Sequence, residues 1–362
     1  MRFYEIDLLR FVAAFAVVLF HYTFRGAAGE AFTSVAYPEL AGITKYGCLG
    51  VDLFFIISGF VILMTAANKS ASQFVVSRIV RLYPALWCCS TVTFLATVLV
   101  GDPHFTATGP QYLANLTMLN GFVGIPSIDG VYWSLFVEMK FYFLVFALVL
   151  LRQIRFVDGY LGLWLAAAIG LSFQPVKGFS SLLLPQYAAH FIAGAVFYRI
   201  AQQGSSLYRM VLLAGSFGLT AVHEHRNAVE FRHVYGVPFD LAVVLLVLAA
   251  FYVLFYLIAT RRTEGLPWKK LAWCGGLTYP LYLLHQHIGY MLFNALGGRI
   301  DRYVLLCGTV GLMLAAAYCV HRRIEEVYSK PLQRFLERTL DLAKAVIAER
   351  LPRRLSVASP KR

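Results

Sequence analysis

Long apolar segments recur along the chain, and short polar connections separate them. About twenty apolar residues are enough to cross the hydrocarbon core of a bilayer as an α-helix. Candidate spans cover residues 6–24, 46–66, 82–100, 131–151, 160–173, 185–200, 208–222, 237–259, 272–296 and 303–321. The stretch 111–125 is apolar but short, which favours a re-entrant or surface element. The pattern predicts an all-α polytopic membrane protein with about ten transmembrane helices.

The composition excludes an ordinary soluble domain, because 59% of the 362 residues are hydrophobic and only 14% are charged. The first apolar segment lacks a small-residue cleavage site, so we interpret it as a retained span and not as a signal peptide. The six cysteines lie in or beside apolar segments without C-x-x-C spacing. They indicate neither a disulfide framework nor a metal site.

The distribution of positive charge predicts the topology, since Lys and Arg concentrate in short cytoplasmic loops. With the N-terminus inside, the inner connections, which contain Arg78, Arg152 and Arg209, hold more basic residues than the outer ones. Both termini are therefore predicted to be cytoplasmic, in a multi-pass protein of the inner (plasma) membrane.

The end of the chain differs from the rest in its charge. We divide the chain into a transmembrane domain, residues 1–323, and a basic amphipathic tail, residues 324–362, predicted to lie on the lipids of the inner leaflet. The net charge of +13 is thus explained by topology and membrane adhesion. Because the basic residues are scattered among the spans, nucleic acid is not a predicted partner.

The first predicted helix carries Arg10 and His21 on one face. His21 follows Arg10 by eleven positions, which corresponds to roughly 16 Å along the helix axis and to an angular offset of about 20°. An ionisable residue inside a membrane span is costly, so it is a functional candidate by default. His21 is therefore the first candidate for a catalytic group, although a packing role is the commoner one for a lone histidine.

Three further ionisable residues are predicted at the depth of His21. Asp52 and Glu138 each lie about 10 Å below the outer surface if the span boundaries hold, and His285 reaches a similar level from the other side. A carboxylate there would orient His21 as a general base, which makes His21, Asp52 and Glu138 the predicted catalytic group. The alternatives are that Asp52 caps a helix, that His285 bonds to a carbonyl, and that Glu138 pairs with Lys140.

A second constellation is predicted on the inner side. Arg78 and Arg81 share one face of a helical turn, and Pro84 suits the first turn of the third span. Guanidinium groups beside a helix N-terminus form a phosphate site in outline. The alternative is that both are ordinary arginines of a cytoplasmic loop.

These segments resemble the acyltransferase-3 family of membrane O-acyltransferases, which act on cell-surface glycans. The resemblance rests on five motifs that occur in order from the first span to the ninth. They read IDLLRFVAAFAVVLFH, GVDLFFIISGF, RIVRLYP, WSLFVEMKFY and YPLYLLH. The chain departs from the family at Ser77, where another basic residue usually precedes the arginine pair.

The resemblance implies transfer of an acyl group, commonly acetyl, from cytoplasmic acyl-CoA to a hydroxyl of a carbohydrate or lipid-linked glycan. It also implies that Arg10, Arg78 and Arg81 bind the coenzyme and that His21 acts in catalysis. Two routes stay open for His21, which acts either as a general base or as an acyl relay through an acyl-imidazole. No metal is implied.

Two other classes of protein remain possible on the sequence alone. Intramembrane His, Asp, Glu and Arg also describe an ion-coupled transporter or a flippase of an envelope polysaccharide precursor. Such a carrier predicts inverted repeats, and the sequence has no evident symmetry of this kind. The third class is a structural subunit of a polysaccharide assembly.

Overall fold

The computed structural model describes residues 3–29, 32–101, 104–264, 270–271 and 273–350, and within these ranges it contains helices and no strand. The helices are α1 Tyr4–Phe20, α2 Pro38–Thr44, α3 Gly50–Ala66, α4 Ala71–Val100, α5 Gly109–Asn115, α6 Trp133–Leu150, α7 Val157–Phe173, α8 Phe179–Leu183, α9 Pro185–Gln203, α10 Leu207–Tyr235, α11 Leu241–Ala259, α12 Cys274–Leu296, α13 Arg302–Val320 and α14 Glu326–Arg350. The all-α prediction is confirmed. Residues 351–362 of the predicted tail lie outside the described residues.

Seven helical segments in the described part of the chain are long and apolar enough to cross a membrane. They are Tyr4–Arg25, Pro38–Ala66, Ala71–Val100, Gly130–Leu150, Ile154–Phe173, Leu241–Ala259 and Arg302–Lys344. The other three predicted spans form α9, α10 and α12, which are helical but less apolar.

The helices α9 and α12 are less apolar because they face other helices. α9 packs against α3, α7 and α10, while α12 packs against α1, α4 and α13. The backbones of α3 and α9 approach so closely that a Cβ at Gly59 or Gly194 would collide with the backbone of the facing helix. Small residues at such a crossing are typical of helix packing in membranes. A helix surrounded in this way has little need of a lipid-compatible surface.

The third predicted span begins earlier than expected. Helix α4 starts at Ala71, and its first turn is closed by Ser70 and Gln73, where the Gln73 backbone N–H donates to Ser70 Oγ over 3.3 Å. Pro84 therefore lies inside the helix, thirteen residues or roughly 20 Å from its start. The prediction that a helix N-terminus supports the arginine pair is wrong, because this capping box extends the helix beyond the apolar segment.

Two further sequence-based predictions concern the short apolar stretch 111–125 and the basic tail. The stretch 111–125 forms the end of α5 and a short turn, Asn120–Val123, and it is not a span. The predicted tail helix is present as α14, which continues from α13 through a π-helical turn at His321–Glu325. Its Ser329 hydroxyl donates to the Val80 carbonyl of α4 over 3.4 Å, so the tail begins against the transmembrane bundle.

Candidate active site

His21 lies where the first helix changes its winding. α1 ends at Phe20, and His21–Arg25 form a π-helical turn in which the Gly26 N–H donates to the His21 carbonyl over 2.8 Å. Such turns are frequent at functional sites, because the wider winding moves side chains away from the regular helix face. The His21 side chain is only 4% exposed.

His21 and His285 of α12 form a direct hydrogen bond, with 3.0 Å between His21 Nδ1 and His285 Nε2. His285 Nδ1 also lies 2.8 Å from the Tyr282 carbonyl. A carbonyl oxygen only accepts, so this nitrogen carries a hydrogen. His285 is 0% exposed, which favours the neutral ring and makes its Nε2 an acceptor.

The proton position on His21 follows from these contacts. His21 Nδ1 must donate to His285, and it also lies 2.9 Å from the Val17 carbonyl, which requires a hydrogen on the same nitrogen. The two acceptors, the Val17 carbonyl and His285 Nε2, therefore favour the tautomer of His21 that carries its hydrogen on Nδ1. Its Nε2 keeps a lone pair and is the ring atom available for proton or acyl transfer.

His285 is itself held by α1. The hydroxyl of Tyr22 donates to the His285 carbonyl over 2.7 Å, and the Tyr22 ring occupies the space that a side chain at Gly289 would fill. The two histidines therefore belong to one packed contact between α1 and α12. The sequence-based expectation that a carboxylate orients His21 is wrong, since its ring bonds to an imidazole and a carbonyl.

A cavity of about 430 Å³ opens beside His21, and we call it the His21 cavity. This volume is within the usual range of small-molecule sites, roughly 300 to 1,000 Å³. Its polar and charged lining residues are His21, Arg25, Asp52, Gln186, Glu224, Asn227 and Glu230, and its aromatic ones are Phe20, Phe32, Trp133, Tyr187, Phe231, Tyr235, Phe239 and Tyr282. The cavity combines a ring nitrogen able to take a proton with polar and aromatic walls.

A second, narrower cavity of about 110 Å³ brings the three predicted coenzyme-binding arginines together, and we call it the arginine cavity. Arg10, Arg78 and Arg81 all line it. The guanidinium carbon of Arg78 lies 5.9 Å from the centre of the Tyr142 ring in the same wall. Three guanidinium groups around one cavity are suited to hold phosphate oxygens.

Glu138 lies in the arginine cavity and does not join His21. It accepts a hydrogen bond from Ser58 of α3. Ser58 is six residues beyond Asp52 on that helix, so Glu138 sits roughly 9 Å deeper than Asp52. The prediction of a single layer of ionisable groups is therefore wrong for Glu138. Its catalytic role stays a prediction without a contact to His21.

Asp52 does line the His21 cavity, and it lies beside a histidine that the sequence did not single out. Asp52 Oδ1 lies 3.5 Å from His190 Nε2 of α9, whose side chain is buried. Asp52 thus faces the cavity without bonding to the His21 ring. Its predicted catalytic role stays a prediction.

Tyr282 and Val51 line both cavities and so stand between them. The Tyr282 hydroxyl lies 2.7 Å from Ser134 Oγ and donates to the Val131 carbonyl over 3.2 Å. His21 and the arginine cluster are therefore on opposite sides of one layer of side chains.

Arg81 also contacts the start of the tail. Its Nη1 lies 3.4 Å from Glu325 Oε1, and the other oxygen of this buried carboxylate lies 2.6 Å from His321 Nδ1. The π-helical turn between α13 and α14 thus positions one of the arginines. Arg10 is paired more loosely, with 3.8 Å between its Nη1 and Asp7 Oδ1.

The acyltransferase-3 family, described as an acyltransferase domain, matches residues 3–322. The chain belongs to the acyltransferase-3 family. The predicted resemblance is confirmed, and the matched range contains both cavities.

Two relatives show what kinds of protein share this acyltransferase domain. Nodulation protein 10 of Rhizobium leguminosarum bv. viciae is 30% identical over 156 residues, which are 38% of this chain and 41% of that protein. Peptidoglycan O-acetyltransferase OatA of Listeria monocytogenes is 29% identical over 200 residues, 48% of this chain and 29% of that protein. The chain thus spans less than half of either relative. No solved structure matches it.

Sequence reasoning missed three residues in or beside the His21 cavity: Tyr282, His190 and Glu224. Tyr282 precedes His285 by one helical turn, so the spacing placed it on the same face. Glu224 lies two residues beyond the predicted end of the span at residue 222, whereas in the structure it is part of α10. The helical spacing of Glu224, Asn227 and Phe231 is the signal in the sequence that the helix continues beyond residue 222.

Proposed function

We propose that this acyltransferase moves an acyl group, commonly acetyl, from cytoplasmic acyl-CoA to a hydroxyl of a cell-surface or exported glycan. The observation that carries the proposal is the meeting of two cavities at Tyr282 and Val51, one lined by arginines and the other by His21. The first suits a donor that carries phosphates. The second suits an acceptor that must give up a proton.

The donor is proposed to enter on the side of the arginines. Arg78 and Arg81 hold the phosphates of the coenzyme, and Arg10 lies beside the path of its pantetheine arm. The arginine cavity, at about 110 Å³, fits a slender chain and not a nucleotide, so the nucleotide stays outside it. The thioester then reaches the layer at Tyr282.

At His21 the reaction follows one of two chemical routes. As a general base, Nε2 takes the proton of the acceptor hydroxyl while the hydroxyl oxygen attacks the thioester carbonyl. The coenzyme then leaves as a thiolate and receives that proton from Nε2. As an acyl relay, Nε2 attacks the carbonyl first and the coenzyme leaves as its thiolate, which gives an acyl-imidazolium that keeps its Nδ1–H. The acceptor hydroxyl then takes the acyl group, its proton passes to the coenzyme thiolate, and the imidazole is restored. In both routes Nδ1–H stays bonded to Val17 and His285 and orients the ring.

The glycan acceptor is inferred from a relative whose name states peptidoglycan O-acetylation. The proposal also includes ten spans, with both termini cytoplasmic in the inner membrane. It then follows that α9, α10 and α12 cross the bilayer in addition to the seven most apolar segments.

The direct test is consumption of labelled acetyl-CoA by the purified protein. We expect release of free CoA thiol, and transfer of label when a glycan is added. Neither a transporter nor a structural subunit breaks the thioester bond. Absence of thiol release from folded protein, with and without glycan acceptors, would contradict the proposed function.

The topology predicts which single cysteines react with an impermeant thiol reagent applied outside intact cells. We expect labelling at Lys177→Cys and Arg299→Cys, and none at Ser205→Cys or Arg338→Cys, since the basic loops and the tail are cytoplasmic. These four side chains are exposed, whereas Arg209 is buried in an ion pair with Asp158 and is unsuitable. The unmodified chain gives the background of the native cysteines. Labelling at Ser205→Cys would mean that α9 or α10 does not span.

A further inference from the structure

Helix α10 is longer than its apolar segment, and its second half faces the His21 cavity. The helix ends at Tyr235, thirteen residues after the predicted end of the span at residue 222. Glu224, Asn227, Phe231 and Val234 follow one another at intervals of three or four residues, so they share one face. All four line the His21 cavity. A polar helix face is thus directed at the space beside the reactive imidazole.

Glu224 on this face is a buried carboxylate whose hydrogen bonds are incomplete. It is 4% exposed and, within the part of the chain that the structure describes, accepts one hydrogen bond, over 3.0 Å, from Asn227 Nδ2. Among the described residues, no Lys or Arg lies within 4.0 Å of it. A buried carboxylate is costly unless donors surround it. Hydroxyl groups of a bound molecule would supply the missing donors.

A second helix, α3, adds another carboxylate to the lining. Asp52 of α3 lines the same cavity and is partly exposed to it, with 15% of its side chain accessible. Its neighbour, His190, supplies at most one donor. Two acceptor groups therefore face a cavity of about 430 Å³ from different helices, which matches a ligand with several hydroxyls.

Aromatic rings complete the lining. Phe231 stacks on Phe239 with 4.3 Å between ring centres and on Phe24 with 5.4 Å, which fixes its plane. Trp133 packs on Tyr187 with 5.5 Å between centres, and both line the cavity. Phe231 is therefore a rigid apolar wall, whereas Trp133, which is 39% exposed, can pack against the C–H face of a pyranose while carboxylates and amides bind its hydroxyls. Such a lining of aromatic groups with a few polar ones is typical of selective small-molecule sites.

We propose that the face of α10 containing Glu224 and Asn227 is the acceptor subsite, and that it binds pyranose hydroxyls next to the one that reacts at His21. This inference rests on the proposed function, because it assumes that the His21 cavity takes the acceptor. It assigns to Glu224 the selection of a sugar over a simple alcohol. Asp52 of α3 is proposed to contact the same sugar.

The test compares two acceptors in the same enzyme, a pyranoside and propan-1-ol. The pyranoside is the best of a panel of methyl glycosides of glucose, N-acetylglucosamine and N-acetylmuramic acid, as measured with the unmodified protein. For Glu224→Gln we expect the ratio of kcat/KM for the pyranoside to kcat/KM for propan-1-ol to fall by about 10- to 100-fold. For Asn227→Ala we expect a fall of roughly 3- to 10-fold. The CoA dissociation constant serves as the check on folding.

His225→Gln is the matched control, because His225 is on the same helix but is exposed and does not line the cavity. Its acceptor ratio should equal that of the unmodified protein. An unchanged ratio in Glu224→Gln, or an unmodified protein that prefers propan-1-ol to every pyranoside, would overturn the acceptor subsite. A protein that releases no thiol at all would instead overturn the proposed function. The two failures are therefore distinguishable.

Discussion

His21→Ala is expected to lower acyl transfer by about a hundred- to ten-thousand-fold, the usual contribution of a positioned acid or base. If His21 carries the acyl group itself, the loss is larger, because the covalent route has no substitute atom. CoA binding should persist, since Arg10 and His21 lie roughly 16 Å apart along α1. The measurement is thiol release and glycan acylation, with a CoA binding isotherm for the same preparation.

His21→Asn separates catalysis from packing. The amide of asparagine places an N–H near the position of Nδ1, so it keeps a donor for Val17 and His285 and loses the Nε2 lone pair. We expect it to fail as alanine does, while its thermal stability stays close to that of the unmodified protein. His21→Gln also cannot titrate near neutrality and should fail too. Turnover near normal in either variant would reduce His21 to a structural hydrogen-bonding residue.

His21 could be selected as a candidate from one helix, because its face and depth follow from helical geometry alone. The side chain that hydrogen-bonds to the His21 ring could not be predicted in this way. The depth count placed Asp52, Glu138 and His285 together, but only the packing of α1 on α12 decides which side chain meets the ring. That packing depends on Gly289, which makes room for Tyr22 and lets the Tyr22 hydroxyl bond to the His285 carbonyl.

Glu138 shows why the depth of a residue in the membrane cannot be predicted by counting residues from the predicted end of its span. Residues 131–151 were aligned at the outer surface with residues 46–66, whereas the structure pairs Glu138 with Ser58 and not with the level of Asp52. Neighbouring helices are offset along their axes so that their side chains fit, and an offset of six residues moves a carboxylate by roughly 9 Å. The sequence contains no direct measure of that offset.

The second error of the sequence-based prediction concerned the helix boundaries, because hydropathy does not detect the polar ends of helices. Hydropathy ended the span of α10 at residue 222 and began that of α4 at residue 82, whereas both helices extend over polar residues. Capping residues such as Ser70 and the spacing of Glu224, Asn227 and Phe231 carried the missing information. These extensions matter for function, since one contains both arginines of the pair and the other faces the His21 cavity.

Arg78→Ala and Arg81→Ala are each expected to weaken CoA binding by about ten- to a hundred-fold while the protein remains folded. The loss of a charge-assisted hydrogen bond to phosphate costs roughly 1.5 to 3 kcal/mol, which corresponds to that range of dissociation constants. The measurement is titration of CoA at low and high salt, because screening should reduce the difference between variant and unmodified protein.

Arg81 requires one more comparison, since it contacts Glu325 as well as the proposed phosphate site. Removing its guanidinium leaves His321 as a partner of that carboxylate, 2.6 Å away, so α14 should stay in place. Arg322→Ala is the matched control on the neighbouring turn, because Arg322 is exposed and pairs with Glu326. Arg78→Lys keeps the charge without the forked donors and should bind CoA with intermediate affinity. If neither alanine variant changes the dissociation constant more than Arg322→Ala does, the coenzyme phosphates bind elsewhere.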